Sequence, residues 1–341
     1  MVANIVYWFK LVLIVGAGLL AAAIAAGFLG RFHPAFDSFA HFRLHLAVAL
    51  ALAAFALAAF GVVREGIVGL ALAIGAFVAT PGTAANDLFN APARAAATIP
   101  DRPVYRLLQY NARFDNKTPE ELLRLVARYR PDVVTMEEVS TRWRARIASL
   151  SASYPHQLIC DTRSRVGGVA ILSRRPFADD GANACLDEGS LGIAAIDFGG
   201  QTANVAALHL HWPWPYPQME QVGLLSESLA TLGETAILAG DFNAARWSAT
   251  VRAVELASGL QLAGSVGPTW LARQLPPALR PYAGLGIDHV LAGPRIKIHS
   301  LARGDFIGSD HLPVLFEFSI EPPPLGPDAR EIVSTASPSA G

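Results

Sequence analysis

Six short polar motifs carry the side chains that hydrolytic chemistry requires, and all of them follow residue 108 of the 341-residue chain. They are Gln109-Tyr110-Asn111, Met136-Glu137-Glu138-Val139, Leu208-His209-Leu210-His211, Gly240-Asp241-Phe242-Asn243, Ile287-Asp288-His289 and Ser309-Asp310-His311. Glu138, Asp241 and Asp310 supply carboxylates, and Asn111 and Asn243 supply carboxamides. Oxygen donors of this kind suit Mg²⁺ or Mn²⁺ rather than zinc. His209, His211, His289 and His311 can donate to phosphate oxygens or move protons. Hydrolysis of a phosphate ester needs an activated water, a counter-charge for the phosphoryl oxygens and stabilisation of the leaving oxygen, and this set provides all three. No Gly-rich phosphate loop, GxSxG elbow or HExxH stretch competes with that reading.

Each motif alone has a plainer explanation. Asp241-Phe242-Asn243 could be an ordinary turn. Asp310-His311 could cap the start of a strand. Glu138 could face the N-terminus of a helix over residues 141–150, and His209 could be a satisfied core histidine. Six such motifs in one stretch of chain make coincidence a poor account.

The elements that must position them come next. Strand-like runs cover residues 104–110, 132–136, 169–172, 193–198, 203–210, 236–239, 287–292 and 312–318, so the motifs sit at or beside strand ends, where a rigid sheet can hold functional groups. A helix opens at Thr118-Pro119-Glu120-Glu121, with Thr118 as cap and Glu121 completing a capping box, and runs to about Arg128. A second helix fills residues 218–232. Strands and helices do not alternate strictly, which favours mixed sheets over a purely parallel one.

Hydrophobic residues make up 52% of the chain and charged residues only 16%. The apolar surplus lies in the first 85 residues. Uncharged runs at 11–29, 46–63 and 66–85 are each close to the 20 or so residues that cross a bilayer, which predicts three transmembrane helices. Pro81 lies near the end of the third. His33, His41 and His45 cluster in the first loop, where interfacial imidazoles are ordinary and a metal or haem role is the rarer alternative. The expected organisation is a membrane anchor over 1–85, an Ala/Pro-rich linker over 86–103, a catalytic domain over 104–320 and a disordered tail over 321–341.

A formal net charge of −1 excludes a global basic field that would recruit nucleic acid. The two cysteines, Cys160 and Cys185, have no zinc-type spacing; they are either a disulfide or two unrelated small apolar residues. Orientation is contested. Arg31 and Arg43 of the first loop balance Lys10 and Arg64 on the other side, Arg94, Arg102 and Arg106 favour a cytoplasmic catalytic domain, and the cysteine pair favours an extracytoplasmic one. We take the extracytoplasmic reading.

The ordered set of motifs resembles the endonuclease/exonuclease/phosphatase superfamily, which includes pancreatic-type DNases, abasic-site endonucleases, sphingomyelinases and inositol-polyphosphate phosphatases. Residues 131–139 (PDVVTMEEV), 240–244 (GDFNA) and 309–314 (SDHLPV) carry the likeness, with 168–174 (GVAILSR) matching the family's central strand. It covers about 104–320. The resemblance implies a four-layer α/β sandwich of two mixed sheets with helices outside. It makes Glu138 the principal metal ligand, supported by Asn111, with Asp310 completing the metal side. Asp241 positions or deprotonates the attacking water, Asn243 orients the phosphate, and His311 contacts the phosphate while Asp288 holds it. His209 flanks the phosphate on the other side. Two departures stand out: Glu137 replaces a more usual Gln and adds charge beside the metal ligand, and His211 follows His209 at a spacing that faces the same side of a strand. His211, Arg113 and Trp212 are the candidate substrate contacts. The run Trp212-Pro213-Trp214-Pro215-Tyr216-Pro217 either stacks on a base, lies against lipid headgroups, or packs on its own surface.

The functional expectation is a membrane-anchored phosphodiesterase of nuclease type that uses Mg²⁺ or Mn²⁺. The alternative is a phosphatase or phospholipase-C-like enzyme acting on phospholipid headgroups, and an inactive membrane scaffold is the reading from a different class. The expected partners are a phosphate-ester substrate, from nucleic acid or phospholipid, and the lipid bilayer.

Overall fold

The computed structural model describes residues 2–80, 102–178 and 183–322. The expected linker, apart from its last two residues, and the expected tail beyond residue 322 lie outside the described residues. Two six-stranded mixed sheets dominate, with strands numbered in chain order. Across the first sheet the order is β11 (Ile296–Arg303), β12 (Val314–Ile320), β1 (Tyr105–Asn111), β2 (Val133–Val139), β4 (Gly168–Ser173) and β3 (His156–Ile159). Across the second it is β5 (Ala184–Leu186), β6 (Leu191–Asp197), β7 (Thr202–His209), β8 (Ala236–Asp241), β10 (Asp288–Ala292) and β9 (Gln261–Leu262). The β1–β2 and β7–β8 pairs are parallel and the other pairs antiparallel.

The central strands are buried on both faces, which is why they read as continuous apolar runs instead of alternating ones. Leu107, Val133 and Ile171 of one sheet meet Val205, Ile237 and Val290 of the other in the core between the sheets. On the outer face of the first sheet, α5 (Pro119–Tyr129) and α6 (Thr141–Ala148) bury Leu122, Val126, Trp143 and Ile147. On the outer face of the second, α7 (Gln218–Ala230) and α8 (Ala249–Ser258) bury Leu225, Leu229, Val251 and Val254. The layers are therefore helix, sheet, sheet and helix, as the resemblance implied. A short α9 (Arg280–Ala283) lies in the connection before β10.

Local details depart from expectation. Thr118 makes no capping bond to α5. Its hydroxyl donates to Asn116 Oδ1 (3.2 Å), and Glu121 pairs with Arg124. β11 escaped the sequence reading because a register shift between Ile298 and Ser300 breaks its alternation.

Four helices precede the sheets: α1 (Val2–Gly27), α2 (Pro34–Ala40), α3 (Arg43–Ala59) and α4 (Val63–Ala79). Three spans were expected; one helix among the described residues is long and apolar enough to cross a bilayer, the Asn4–Gly27 stretch with mean hydropathy 2.3. At 1.5 Å per residue, α3 and α4, 17 residues each, reach only about 25 Å, short of a ~30 Å hydrocarbon core. Helices α2 and α3 meet at 64°, and only if that bent pair counts as one span does the number rise to two. The three long helices pack on small residues: a Cβ added at Gly66 would come within 2.8 Å of the Ala54 carbonyl oxygen, so α3 and α4 touch backbone to backbone.

The turn between α1 and α3 docks on the sheet domain. Buried Asp37 accepts hydrogen bonds from Ala249 N (2.7 Å), Thr250 N (3.0 Å) and Thr250 Oγ1 (3.0 Å) at the start of α8. His41 Nδ1 accepts from Ala245 N (3.0 Å), and Trp247 Nε1 donates to the Ala40 carbonyl (2.7 Å). His33 Nδ1 caps α2 by accepting from Ala35 N (3.1 Å). His33 and His41 thus serve as hydrogen-bond acceptors, and none of the three loop histidines joins a metal-sized cluster among the described residues. Cys160, after β3, and Cys185, in β5, form a disulfide that joins the edges of the two sheets.

Candidate active site

Strand register assembles the polar motifs. Asn111 ends β1 opposite Glu137 of β2. His209 ends β7 opposite Asp241, which ends β8 and also faces Asp288 at the start of β10. His311 sits just before β12. The two sheets therefore deliver Asn111, Glu138 and His311 from one side, and His209, Asp241 and Asp288 from the other.

Asp241, 1% exposed, is the centre. Its Oδ2 accepts from Asn111 Nδ2 (2.9 Å), with His311 Nε2 at 3.6 Å and His209 Nε2 at 3.7 Å. Its Oδ1 accepts from Asn243 N (2.8 Å). Asn111 Nδ2 also donates to Glu138 Oε1 (3.2 Å), so one amide bridges the two carboxylates. Glu138 has φ +57°, a left-handed backbone inside a strand, at the bulge where β2 loses register with β4 between Met136 and Val139. That bulge lets two successive residues point differently: Glu137 goes into the interior and Glu138 toward the cleft, where its Oε2 accepts from Phe114 N (2.9 Å).

Asp288 Oδ2 lies 2.9 Å from His311 Nδ1. Burial acts against the charge on His311, but Asp288 and Asp241 outweigh it and push the imidazole up to about 10. Burial would raise the Asp288 carboxyl, yet the His311 charge, its hydrogen bond and those from Thr269 and Gln109 hold it below its ordinary value. Burial pushes Asp241 up to about 6; the charge on His311 opposes the rise and Asp288 adds to it. His311 is thus an imidazolium donor at neutral pH, while Asp241 sits close to the pH at which it can exchange a proton.

Glu137 does not share the cleft with Glu138. It is fully buried, accepts from Gln109 Nε2 (2.8 Å), and burial and the Asp288 charge push its carboxyl well above the ordinary range. Gln109 Nε2 also donates to Asp288 Oδ1 (3.0 Å) and so ties β1 to β10.

The remaining candidates lie around this centre. Arg113 and Asp310 face one another at 3.8 Å in a polar cleft of about 630 Å³ that also contains Glu138, His209, His211 and Trp212. His211 lies beyond the end of β7 and is exposed, so the strand spacing does not determine its direction; it reaches the cleft from a loop, with its backbone N–H on Gln221. The Asn243 side-chain Nδ2 donates to the Leu210 carbonyl (2.9 Å). His289 is buried against the Ala244 carbonyl (2.7 Å), and burial lowers it to about 4. Trp212 is 59% exposed at the rim.

Sequence reasoning assigned no role to Gln109 or Thr269. Thr269 Oγ1 accepts from both Ile287 N and Asp288 N at 3.1 Å and so fixes the start of β10. Gln109 stood in a recognised motif, and a polar side chain in an otherwise apolar strand was its signal.

Asp241, Asp288 and His311 are compact enough to hold a metal ion, their ligand atoms lying within 4.8 Å of one another. That set differs from the expected Asn111, Glu138 and Asp310. Asp288 is bound up with His311, and a protonated imidazole is a donor rather than a ligand. Glu138, Asp241 and Asp310 leave more negative charge than Arg113 and His311 balance, and their oxygens suit a hard divalent cation. The Asn111 amide would have to turn over to ligate an ion beside Glu138, because its nitrogen now faces both carboxylates.

Solved structures share this fold. An endonuclease/exonuclease/phosphatase from Beutenbergia cavernae DSM 12333 superposes with a TM-score of 0.52 at 20% identity, over 66% of this chain and 74% of that one. TDP2 from D. rerio, solved with a single-strand DNA product, gives 0.52 at 19% identity over 63% and 99%. An endonuclease/exonuclease/phosphatase from Bacteroides vulgatus gives 0.52 at 15% over 64% and 100%. No curated protein matches the chain in sequence. The profile of the Endonuclease/Exonuclease/phosphatase family matches residues 108–311, from β1 to His311, and the chain belongs to that family of phosphoester hydrolases.

Proposed function

We propose that this chain is a divalent-metal-dependent phosphodiesterase held at a membrane by α1. The observation that carries the reading is the convergence on Asp241 of two imidazoles and an Asn111-bridged glutamate, delivered by two different sheets. In this reading Glu138 and Asp310 hold Mg²⁺ or Mn²⁺, which when bound screens the phosphoryl charge and stabilises the leaving oxygen. Asp241 takes a proton from the attacking water, whose oxygen bonds to phosphorus as the ester P–O bond breaks. The leaving oxygen takes its proton from water in the cleft. His311, fixed by Asp288, donates Nε2–H to a phosphoryl oxygen, and His209 flanks the same group. Asn243 holds Asp241 through its backbone N–H. Arg113, His211 and Trp212 meet the substrate from the cleft wall.

Membrane attachment rests on α1 and on the exposed apolar side chains of the helical bundle, among them Val12, Leu19, Leu52, Phe55 and Val78. The disulfide supports placing the sheet domain on the oxidising side of that membrane. Nucleic acid is the substrate suggested by the D. rerio TDP2 complex, and a phospholipid headgroup is the alternative.

The test uses the full chain in nanodiscs with bis-p-nitrophenyl phosphate. Turnover is expected with Mg²⁺ or Mn²⁺ and none with EDTA; turnover that survives chelation rejects the metal reading. Glu138→Ala and Asp241→Ala should each lower kcat by about 10²-fold or more, and near-normal rates in either would mean that the roles are misassigned.

A further inference from the structure

The centre lies between two cavities of opposite chemistry that share Trp212. On one side is the polar cleft, whose lining carries Glu138, Asp187, Glu188 and Asp310 against a single arginine, Arg113. A surface that tracks a nucleic-acid backbone needs the reverse balance, because phosphate contacts come from Lys and Arg. On the other side a groove of about 310 Å³ runs from Asn243 between two apolar walls. Trp212, Trp214 and Tyr216, each more than half exposed, form one wall with Trp270. Phe42, from the turn that leads into α3, forms the other. Ser38 Oγ donates to the Trp214 carbonyl (3.2 Å), so the anchor's turn and the aromatic loop are stitched together across the groove.

We infer that the substrate is an amphipathic membrane phosphodiester, a lipid whose acyl or alkyl chain lies in this groove while its phosphate reaches Asp241. The inference rests on the phosphoesterase reading above and narrows it. Three observations select a lipid chain as occupant. Asn243, whose backbone N–H holds Asp241, is part of the groove's lining. One of its walls belongs to the segment that joins the membrane helix α1 to α3, which places the groove at the bilayer end of the domain. Apart from the two carboxylates assigned to the metal, the opposing cleft still sets Asp187 and Glu188 against one arginine, Arg113. The anchor is then part of the substrate site as well as a tether.

The experiment compares p-nitrophenyl methyl phosphate with p-nitrophenyl hexyl phosphate on the full chain in nanodiscs. Each methylene that is fully buried contributes about fourfold in affinity, so the hexyl ester should exceed the methyl ester in kcat/KM by at least about tenfold for five partly buried methylenes. Partition of the longer ester into the bilayer would raise its rate in every variant alike. Trp214→Ser and Phe42→Ser, one on each wall, should therefore pull the hexyl-to-methyl ratio toward one. A ratio unchanged in both variants overturns the inference. So does faster cleavage of a short oligothymidylate than of the hexyl ester with loss of that activity in Trp214→Ser, because the loop would then be a base-stacking platform. A second readout needs no turnover: in EDTA, nanodisc phospholipids brominated on their chains should quench tryptophan emission in a Trp8→Phe background, and less so when Trp214 is also replaced. Intact quenching with neither ester cleaved leaves the groove standing and rejects the phosphoesterase reading. Cleavage of the methyl ester without Trp214-dependent quenching does the opposite.

Discussion

The seam between the anchor turn and the sheet domain makes a quantitative prediction. Replacing Asp37 by Asn keeps the size of the side chain but removes its charge and turns one acceptor oxygen into a donor. Asp37 now accepts three hydrogen bonds, from Ala249 N, Thr250 N and Thr250 Oγ1, at 2.7–3.0 Å. Hydrogen bonds to a charged group are each worth about 1.5–3 kcal/mol, and a buried donor left unpaired costs about 1–3 kcal/mol. The carboxylate also faces the positive end of α8, a contribution of up to about 2 kcal/mol in a buried setting. These terms overlap, and removing one member of a buried charged contact typically costs about 3–5 kcal/mol in all. At 1.4 kcal/mol per decade, amide exchange at Ala249 and Thr250 should accelerate by about 10²–10⁴-fold in Asp37→Asn. Hydrogen–deuterium exchange on the full chain in nanodiscs reads this directly, with the amides of β4 as an internal reference. Exchange within about threefold of wild type would refute the reasoning and reduce the seam to mere contact.

Three further outcomes follow from the charge arrangement. His41 is neutral when folded, lowered to about 4 mainly by burial; its contribution is fully present above pH 6.5 and is lost as pH falls from 6.5 toward 4, so the protection factor of the Ala245 amide should fall across that window and a flat profile would contradict it. The reaction should follow a bell, rising as Asp241 deprotonates near 6 and falling as His311 loses its proton near 10; in Asp288→Asn the alkaline limb of kcat/KM should move down toward neutrality with a loss of about 10²–10⁴-fold in rate, and an unmoved limb would disconnect the pair from catalysis. Glu137 has a raised folded pKa, so the native state holds a proton that the unfolded chain releases above about 4.5, and stability declines as pH rises past that value. Glu137→Gln should therefore unfold at a higher temperature than wild type at pH 7.5, with the gap closing below pH 4.5; a variant less stable at pH 7.5 would show that Glu137 is ionised.

Much of the site was legible because its residues interrupt apolar strands. Asp241 follows a run of buried aliphatics, and Asn111, His209 and Asp288 sit at the ends of β1, β7 and β10, where polar side chains have no role in the core. What stayed hidden depends on three-dimensional detail. Glu137 and Glu138 are adjacent in sequence, and only the bulge in β2 shows that one is buried while the other faces the cleft. His211 was read by strand periodicity, but β7 stops at His209. The Thr118 hydroxyl had a nearer partner in Asn116 than the helix it precedes. The anchor misled in length: apolar runs measure composition, whereas α3 and α4 end where Gly61 and Thr80 break the helices. The docking of Asp37 and His41 pairs residues more than two hundred positions apart, and no local pattern records such a contact.

Because the groups we propose as catalytic come from two sheets, the site behaves like a vernier. The two scales are β1 with β2 and β7 with β8, and across the site they are joined by Asn111 to Asp241 and by Gln109 to Asp288. Sliding one sheet along the other by about 1 Å would leave each sheet's own ladder intact yet misplace the imidazoles against the carboxylates, enough to cost on the order of 10² in rate. The Cys160–Cys185 bridge at the far edge, and Tyr105, whose hydroxyl donates to the Phe198 carbonyl, resist that shear at a distance from the chemistry. Substitutions in the apolar seam between the sheets can therefore silence this protein without unfolding it and without touching a reacting atom.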